Sequence, residues 1–222
     1  MPTNLPTIAI IGGTGKEGTG LALRWAAAGY KIVIGSRQIE KAKLAADTIN
    51  QQLGVDNVTG LENLEAAKKA EICVLTVVQT AHQQALVSLK DVLQGKILVD
   101  ATSRVDFHDP RPPDPPCAAQ QAQDLLGPFV RVVAAFQNVP AKSLSKEIGQ
   151  SMDADVLVCS DDLNSGEQVI QLAQAAGMHG YYAGGLANAI VVEGLTSILI
   201  SMNKHYLVKN ASVRVTGVAD DG

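Results

Sequence analysis

Short runs of continuous apolar residues alternate along this chain with longer stretches whose apolar positions recur at helical spacing. The first run, TIAIIGG at residues 7–13, is rich in β-branched residues and closes on glycines. Behind it Leu21, Leu23, Trp25 and Ala28 mark a helix that Gly29 stops. KIVIGS predicts the next strand, and EKAKLAADTINQQLG a helix ending at Gly54. A strand–helix–strand unit is therefore in place by residue 36. The alternation repeats through strand VTGL, helix NLEAAKKA, strand EICVLTVV, helix TAHQQALVSLKDVL and strand KILVDAT. Strands apolar on both faces and separated by helices predict a mostly parallel sheet covered on both sides, a doubly wound α/β fold of Rossmann type.

Residues 106–117, DFHDPRPPDPPC, break the rhythm with five of the nine prolines and can form neither helix nor central strand. The alternation then resumes: helix AAQQAQDLLG, strand FVRVVAAF, a turn and short helix around PAKSLSKEI, strand DADVLVCS, helix NSGEQVIQLAQAAG and strand HGYYAGG. LANAIVVEGLTSILISMNKH predicts one long helix with a ragged tail, apolar on most faces and so buried against the main body, a second subunit, or both. Two parts follow: residues 1–185 as a dinucleotide-binding domain, and residues 186–222 as a small helical extension.

Composition narrows the partners. With 222 residues and 46% hydrophobic content the chain can bury a sizeable core. A net charge of −4 and a pI near 5.5 leave no basic face for nucleic acid or an anionic membrane, so any positive site must be local. Cys73, Cys117 and Cys159 form no CxxC pair and predict reduced thiols rather than disulfides or a zinc site. MPTNLPT lacks the basic-then-apolar order of a secretory leader, and Glu193 interrupts the longest apolar tract. These features predict a soluble, cytoplasmic protein.

The chemistry begins at residues 13–18, GTGKEG, where Gly13, Gly15 and Gly18 satisfy G-x-G-x-x-G between a strand and a helix. Such a site needs a tight turn, backbone open to a diphosphate, and close helix–strand packing, and the helix start then holds the anion. A site for NAD would place an acid at the end of the second strand; Gly35, Ser36 and Arg37 stand there instead. A hydroxyl and a guanidinium suit a 2′-phosphate that a carboxylate would repel, so the cofactor expected is NADP. Lys41, one turn into the following helix, either adds charge or is a solvated helix lysine.

Elsewhere the residues leave alternatives open. His82, His108, His179 and His205 show no metal-ligand spacing. His82 either lines the pocket or faces solvent at a helix start. Asp100 and Ser103 sit at one strand end, with a structural role for Asp100 the simpler reading. His108 and Arg111 lie in the proline loop, which is a stiff connection or a lid.

Taken together, IAIIGGTGKEGTGLALRWAAAGYKIVIGSRQIEKA, EICVLTVV, VVAAFQNVPA and the closing VRVTG resemble the NADPH-dependent coenzyme F420 reductases over nearly the whole chain. The resemblance implies a homodimer that moves hydride between the nicotinamide and the 5-position of the deazaflavin. By matching position, Gly13, Thr14, Gly15, Lys16, Glu17, Gly18, Ser36, Arg37 and Lys41 would bind NADP. Val77 or Val78 would line the nicotinamide path. Ala135 to Ala141 would face the two rings, with Gln137 and Asn138 closest to the chemistry and Ala135 and Val139 against the cofactor, and residues near Asn188 would close the deazaflavin side. The chain departs from the family at Gln137, where His is usual, at Ile190, where Arg is common, and in TVVQ, which lacks a proline. Two other functions fit the residues: NADPH-dependent reduction of a flavin or other small acceptor, and non-catalytic sensing of NADPH. Hydride transfer between bound rings needs positioning more than acid or base catalysis.

Overall fold

The computed structural model describes residues 5–218. The start of MPTNLPT, whose lack of a leader pattern was noted above, and residues 219–222 of the extension lie outside them. Eight strands form one sheet: β1 (Ile8–Ile11), β2 (Ile32–Ser36), β3 (Val58–Glu62), β4 (Ile72–Leu75), β5 (Ile97–Asp100), β6 (Arg131–Ala134), β7 (Asp155–Ser160) and β8 (His179–Tyr182). Their order is β3-β2-β1-β4-β5-β6-β7-β8. Strands β1 to β6 pair in parallel, β7 runs antiparallel to β6, and β8 is parallel to β7. The mostly parallel, doubly wound architecture expected from the alternation is the one observed.

Seven helices cover the sheet: α1 (Lys16–Ala27), α2 (Ile39–Leu53), α3 (Asn63–Lys69), α4 (Gln79–Leu89), α5 (Ala118–Leu126), α6 (Leu163–Ala175) and α7 (Ala189–His205). Side chains alternate across each strand, so Ile8 and Ile10 enter the core beneath α1, α2 and α6, and Ala9 and Ile11 the core beneath α3, α4, α5 and α7. Trp25 and Phe136 meet edge to face in the first core, 5.7 Å between ring centres. Helix α2 stops where predicted because Gly54 turns left-handed at φ 68° and its N–H bonds Asn50 O. Helix α6 is capped by Asp162, whose carboxylate accepts from Ser165 N at 2.8 Å; the Ser165 side chain and this backbone bond together hold the acid below its ordinary pKa.

One predicted helix is absent. Around PAKSLSKEI the chain makes successive turns, with Glu147 at φ 46° and Gly149 at φ 84°. Buried Arg24 of α1 explains it. Its guanidinium donates to the carbonyls of Leu144 (2.8 Å), Lys146 (2.7 Å), Gln150 (3.1 Å) and Ala176 (2.8 Å), taking acceptors that a helix would use for its own amides.

Candidate functional site: a dinucleotide turn facing a strained loop

The sheet order changes direction at β1 and β4, and the glycine turn between β1 and α1 sits at the carboxyl end of β1 at that crossing, where open α/β sheets bind ligands. Gly12 N–H donates to Asn63 Oδ1 at 3.2 Å and Gly13 N–H to Gly35 O at 3.0 Å, fixing the turn to α3 and β2. A Cβ on Gly13 would lie 2.7 Å from Ile10 O, and one on Gly18 2.6 Å from Gly13 Cα, so both glycines are demanded by packing. Gly15 differs. A Cβ there would meet nothing within 4 Å, and its φ of −79° with ψ of 171° suits any residue. Neither packing nor backbone geometry demands this glycine, which leaves open the space in front of the start of α1, where no side chain caps the helix. Thr14 is half-buried beside it, and Lys16 is exposed at the same helix start.

At the end of β2, Ser36 is buried and its Oγ accepts from Gln38 N at 3.1 Å, leaving the hydroxyl hydrogen free to donate. Arg37 and Lys41 are exposed and, among the described residues, have no ion-pair partner; the neighbouring Lys43 instead pairs with Glu40 at 3.5 Å. Strand β2 carries no acid, and Glu62 stands opposite Ser36 in the register on β3. These residues fit an adenosine bearing a 2′-phosphate.

Near the turn stand two acids, Asp100 buried and Glu17 half-buried. Asp100, fully buried at the end of β5, receives His82 Nε2 at 2.6 Å on one oxygen and Thr102 N at 2.9 Å on the other. His82 is thus buried and paired in the first turn of α4 rather than facing solvent. Glu17 is half-buried; burial, and then the charge of Asp100, push its carboxyl up to about 8.

The segment 135–139 leaves the end of β6 on the same edge of the sheet. Ala135 and Phe136 are fully buried, and Phe136 takes φ 76°, a left-handed conformation that costs a non-glycine residue ~1–3 kcal/mol and that tertiary contacts must hold. Gln137 Nε2 donates to Asp100 O at 2.8 Å, Asn138 Nδ2 to Asp155 O at 2.6 Å, and Thr196 Oγ1 of α7 to Gln137 O at 2.9 Å. With their amides committed to backbone, Gln137 Oε1 and Asn138 Oδ1 are buried without a partner, as are the hydroxyls of Thr102 and Ser103 just past β5. Buried polar atoms left open in this way cost stability unless a ligand or water meets them. Val139 is buried, Val77 half-buried and Val78 exposed at the end of β4.

The fold therefore gathers the residues expected to bind NADP and those expected to face the rings along one edge. Asn188 Nδ2 donates to Ala183 O at 2.8 Å in the 3-10 turn Leu186–Asn188, and Thr196 is the α7 residue that bonds Gln137. The proline loop is tied at both ends by Glu193, which accepts from Arg104 N (2.8 Å), Arg104 Nε (2.8 Å), Arg104 Nη2 (3.3 Å) and Ala118 N (2.9 Å). Arg111 in that loop pairs with Asp109 at 2.6 Å. Asn63, Thr196 and Glu193 had no signal in the sequence beyond their residue type, because each acts on a partner distant along the chain.

A glycine turn at the sheet crossing, an open Gly15 and a cationic strand end define a Rossmann-type protein that binds a phosphorylated dinucleotide. A family described as coenzyme F420-dependent NADP oxidoreductases matches residues 7–104. The F420-dependent NADP reductase of Methanothermobacter thermautotrophicus is 37% identical over 96% of this chain and 96% of its own length, and that of Methanocaldococcus jannaschii 36% identical over 95% and 98%. A crystal structure from an Arthrobacter species, provisionally described as an F420-dependent NADP reductase, superposes with a TM-score of 0.80 at 26% identity, over 96% of this chain and all of that one. The chain belongs to the F420-dependent NADP reductase family.

Proposed function

We propose that this protein is an NADP-dependent oxidoreductase that transfers hydride between NADPH and coenzyme F420. When both are bound, hydride passes from the dihydronicotinamide to the deazaflavin 5-carbon and a proton from solvent completes the reduced deazaflavin, or the reverse. The chain's own part is to bind, align and exclude water. Gly13, Gly15 and Gly18, with Thr14, Lys16 and Glu17, surround the diphosphate, and Ser36, Arg37 and Lys41 the 2′-phosphate. Val77 and Val78 flank the nicotinamide. The open oxygens of Gln137 and Asn138 are acceptors for ring or carboxamide N–H groups, with Ala135 and Val139 forming the apolar wall beside them. The observation that carries the reading is Arg37, a guanidinium at the strand end with no ion-pair partner among the described residues.

The finer expectations belong to the same proposal. Val191, Ile198 and Met202 of α7 are exposed and Leu195 is half-buried, a stripe at coiled-coil spacing that suits a second copy of the chain. Leu186–His205 is long and apolar enough to cross a membrane, but Glu193 within it is 1% exposed and bound to Arg104, so we assign this helix to the core and a homodimer seam. Residues 186–222 then form the dimer and second-substrate side of a cytoplasmic enzyme whose partners are small redox molecules.

Mixing the protein with NADPH and oxidised F420 should bleach the deazaflavin absorbance, whereas FMN or riboflavin in its place should not be reduced. Arg37→Ala should weaken NADPH by ~1.5–3 kcal/mol, the worth of a charge-assisted hydrogen bond, and leave NADH unchanged. No turnover with F420, or equal losses for both nucleotides, refutes the proposal.

A further inference from the structure

The described end of the chain returns to the site. After α7, Ala211 N–H donates to Asn203 Oδ1 at 3.0 Å, and the chain runs back along the start of β7. There Asp155 N–H donates to Val213 O at 2.9 Å, in the place beside β7 that β6 has left by turning into the 135–139 segment. Asp155 is fully buried. Its Oδ2 accepts from Val215 N at 2.7 Å, and its Oδ1 lies 3.1 Å from Arg214 Nε. Arg214 Nη1 also reaches Asp153 Oδ1 at 2.7 Å, and Ser212 Oγ donates to Asp153 O at 2.7 Å.

On its other side the same residue holds the site, since Asp155 O accepts from Asn138 Nδ2 at 2.6 Å. One residue thus joins the tail to the loop that carries the unpartnered oxygens of Gln137 and Asn138. That loop carries the left-handed Phe136, packed edge to face on Trp25, and is otherwise held by Ala135 N on Asp100 O at 3.4 Å, Gln137 on Asp100 O, Thr196 on Gln137 O, and Val139 N on Phe136 O at 3.0 Å. A conformation that is unfavourable locally persists only while its surroundings hold it.

We propose that residues 212–215 are a positioning clamp, which through Asp155 holds Asn138 and the 135–139 loop in the geometry required by the second substrate. The kinetic part of this inference rests on the hydride-transfer reading above; the mechanical part does not. Arg214 is the residue to change, because it is half-exposed, touches neither nucleotide site nor reacting rings, and can be lost without emptying the core. The clamp is at the β6–β7 side of the sheet, away from the glycine turn and the end of β2 to which the proposal gives the NADP phosphates, so its loss should move the KM for F420 much further than the binding of NADPH.

The test compares the full-length wild type with Arg214→Ala, Arg214→Lys and Asp155→Asn. In Arg214→Ala the KM for F420 should rise roughly fivefold or more while the dissociation constant for NADPH, read by its fluorescence, stays within about twofold; such a split marks loss of a contact made to one substrate alone. Arg214→Lys should recover much of the loss, because charge at Asp155 and Asp153 is kept. Hydrogen exchange without any acceptor should show faster exchange of the amides of residues 136–139 in Arg214→Ala and in Asp155→Asn. Unchanged exchange there overturns the clamp, as does a KM for F420 equal to wild type or a parallel loss for both substrates. Should wild type fail with F420 while loop exchange still responds, the clamp stands and the assigned substrate falls.

Discussion

Replacing Gly15 by Ala separates what the fold needs from what the ligand needs. The added methyl would meet no protein atom within 4 Å, and the backbone there, at φ −79° and ψ 171°, accommodates alanine. Unfolding should therefore change by no more than ~0.5 kcal/mol, or shift slightly toward greater stability as the unfolded chain loses freedom. The methyl occupies the space through which a diphosphate reaches the N–H groups at the start of α1. Losing one or two charge-assisted bonds to those groups, each worth ~1.5–3 kcal/mol, should weaken NADPH about tenfold or more. Gly18→Ala is the control, since its methyl would lie 2.6 Å from Gly13 Cα and 2.9 Å from Gly13 O, both backbone that cannot give way cheaply. It should cost ~1–3 kcal/mol of stability by overpacking. Urea unfolding and NADPH fluorescence titration on the same preparations decide the matter. If Gly15→Ala binds NADPH like wild type, or if its binding falls only as far as its stability does, the turn is not a diphosphate site.

Two further predictions concern stability. Burial and Asp100 raise the Glu17 carboxyl from 4.5 to about 8, so the unfolded chain releases this proton before the folded one and stability declines as pH climbs between those values. Glu17→Gln should flatten that decline by ~1–3 kcal/mol, after allowance for its partial contact with water, and parallel urea curves for the two proteins at pH 5.5 and 8.5 would contradict it. Arg24→Met removes the four bonds to Leu144, Lys146, Gln150 and Ala176 carbonyls and should cost ~2–4 kcal/mol, visible as a lower urea midpoint; a loss under ~1 kcal/mol would mean water replaces the guanidinium.

What was legible in the sequence was what neighbours in the chain decide. Continuous apolar runs such as IAII and ICVL declared strands buried on both faces, and the spacing of three glycines placed the turn. The helix expected at PAKSLSKEI failed because its carbonyls are claimed by Arg24, more than a hundred residues earlier. Local periodicity reports none of that. For the same reason His82 was left between two readings until Asp100, eighteen residues on, settled it as a buried pair. The nucleotide half of the site was therefore readable as a contiguous motif, whereas the loop at Gln137 and Asn138 depends on β5, β7, α7 and the tail, which meet only in three dimensions.

Glu193 gathers both ends of the proline loop at one carboxylate, bonding Arg104 where the loop leaves β5 and Ala118 where α5 begins. The intervening span is closed at its base like a purse at its drawstring, and it also rests on the helices, where Lys204 Nζ donates to His108 O at 3.0 Å and Gln121 Nε2 to Pro116 O at 3.2 Å. An engineer exchanging residues 106–116 could therefore keep Arg104 and Ala118 as fixed anchors, but the replacement would have to restore the span's contacts to α5 and α7.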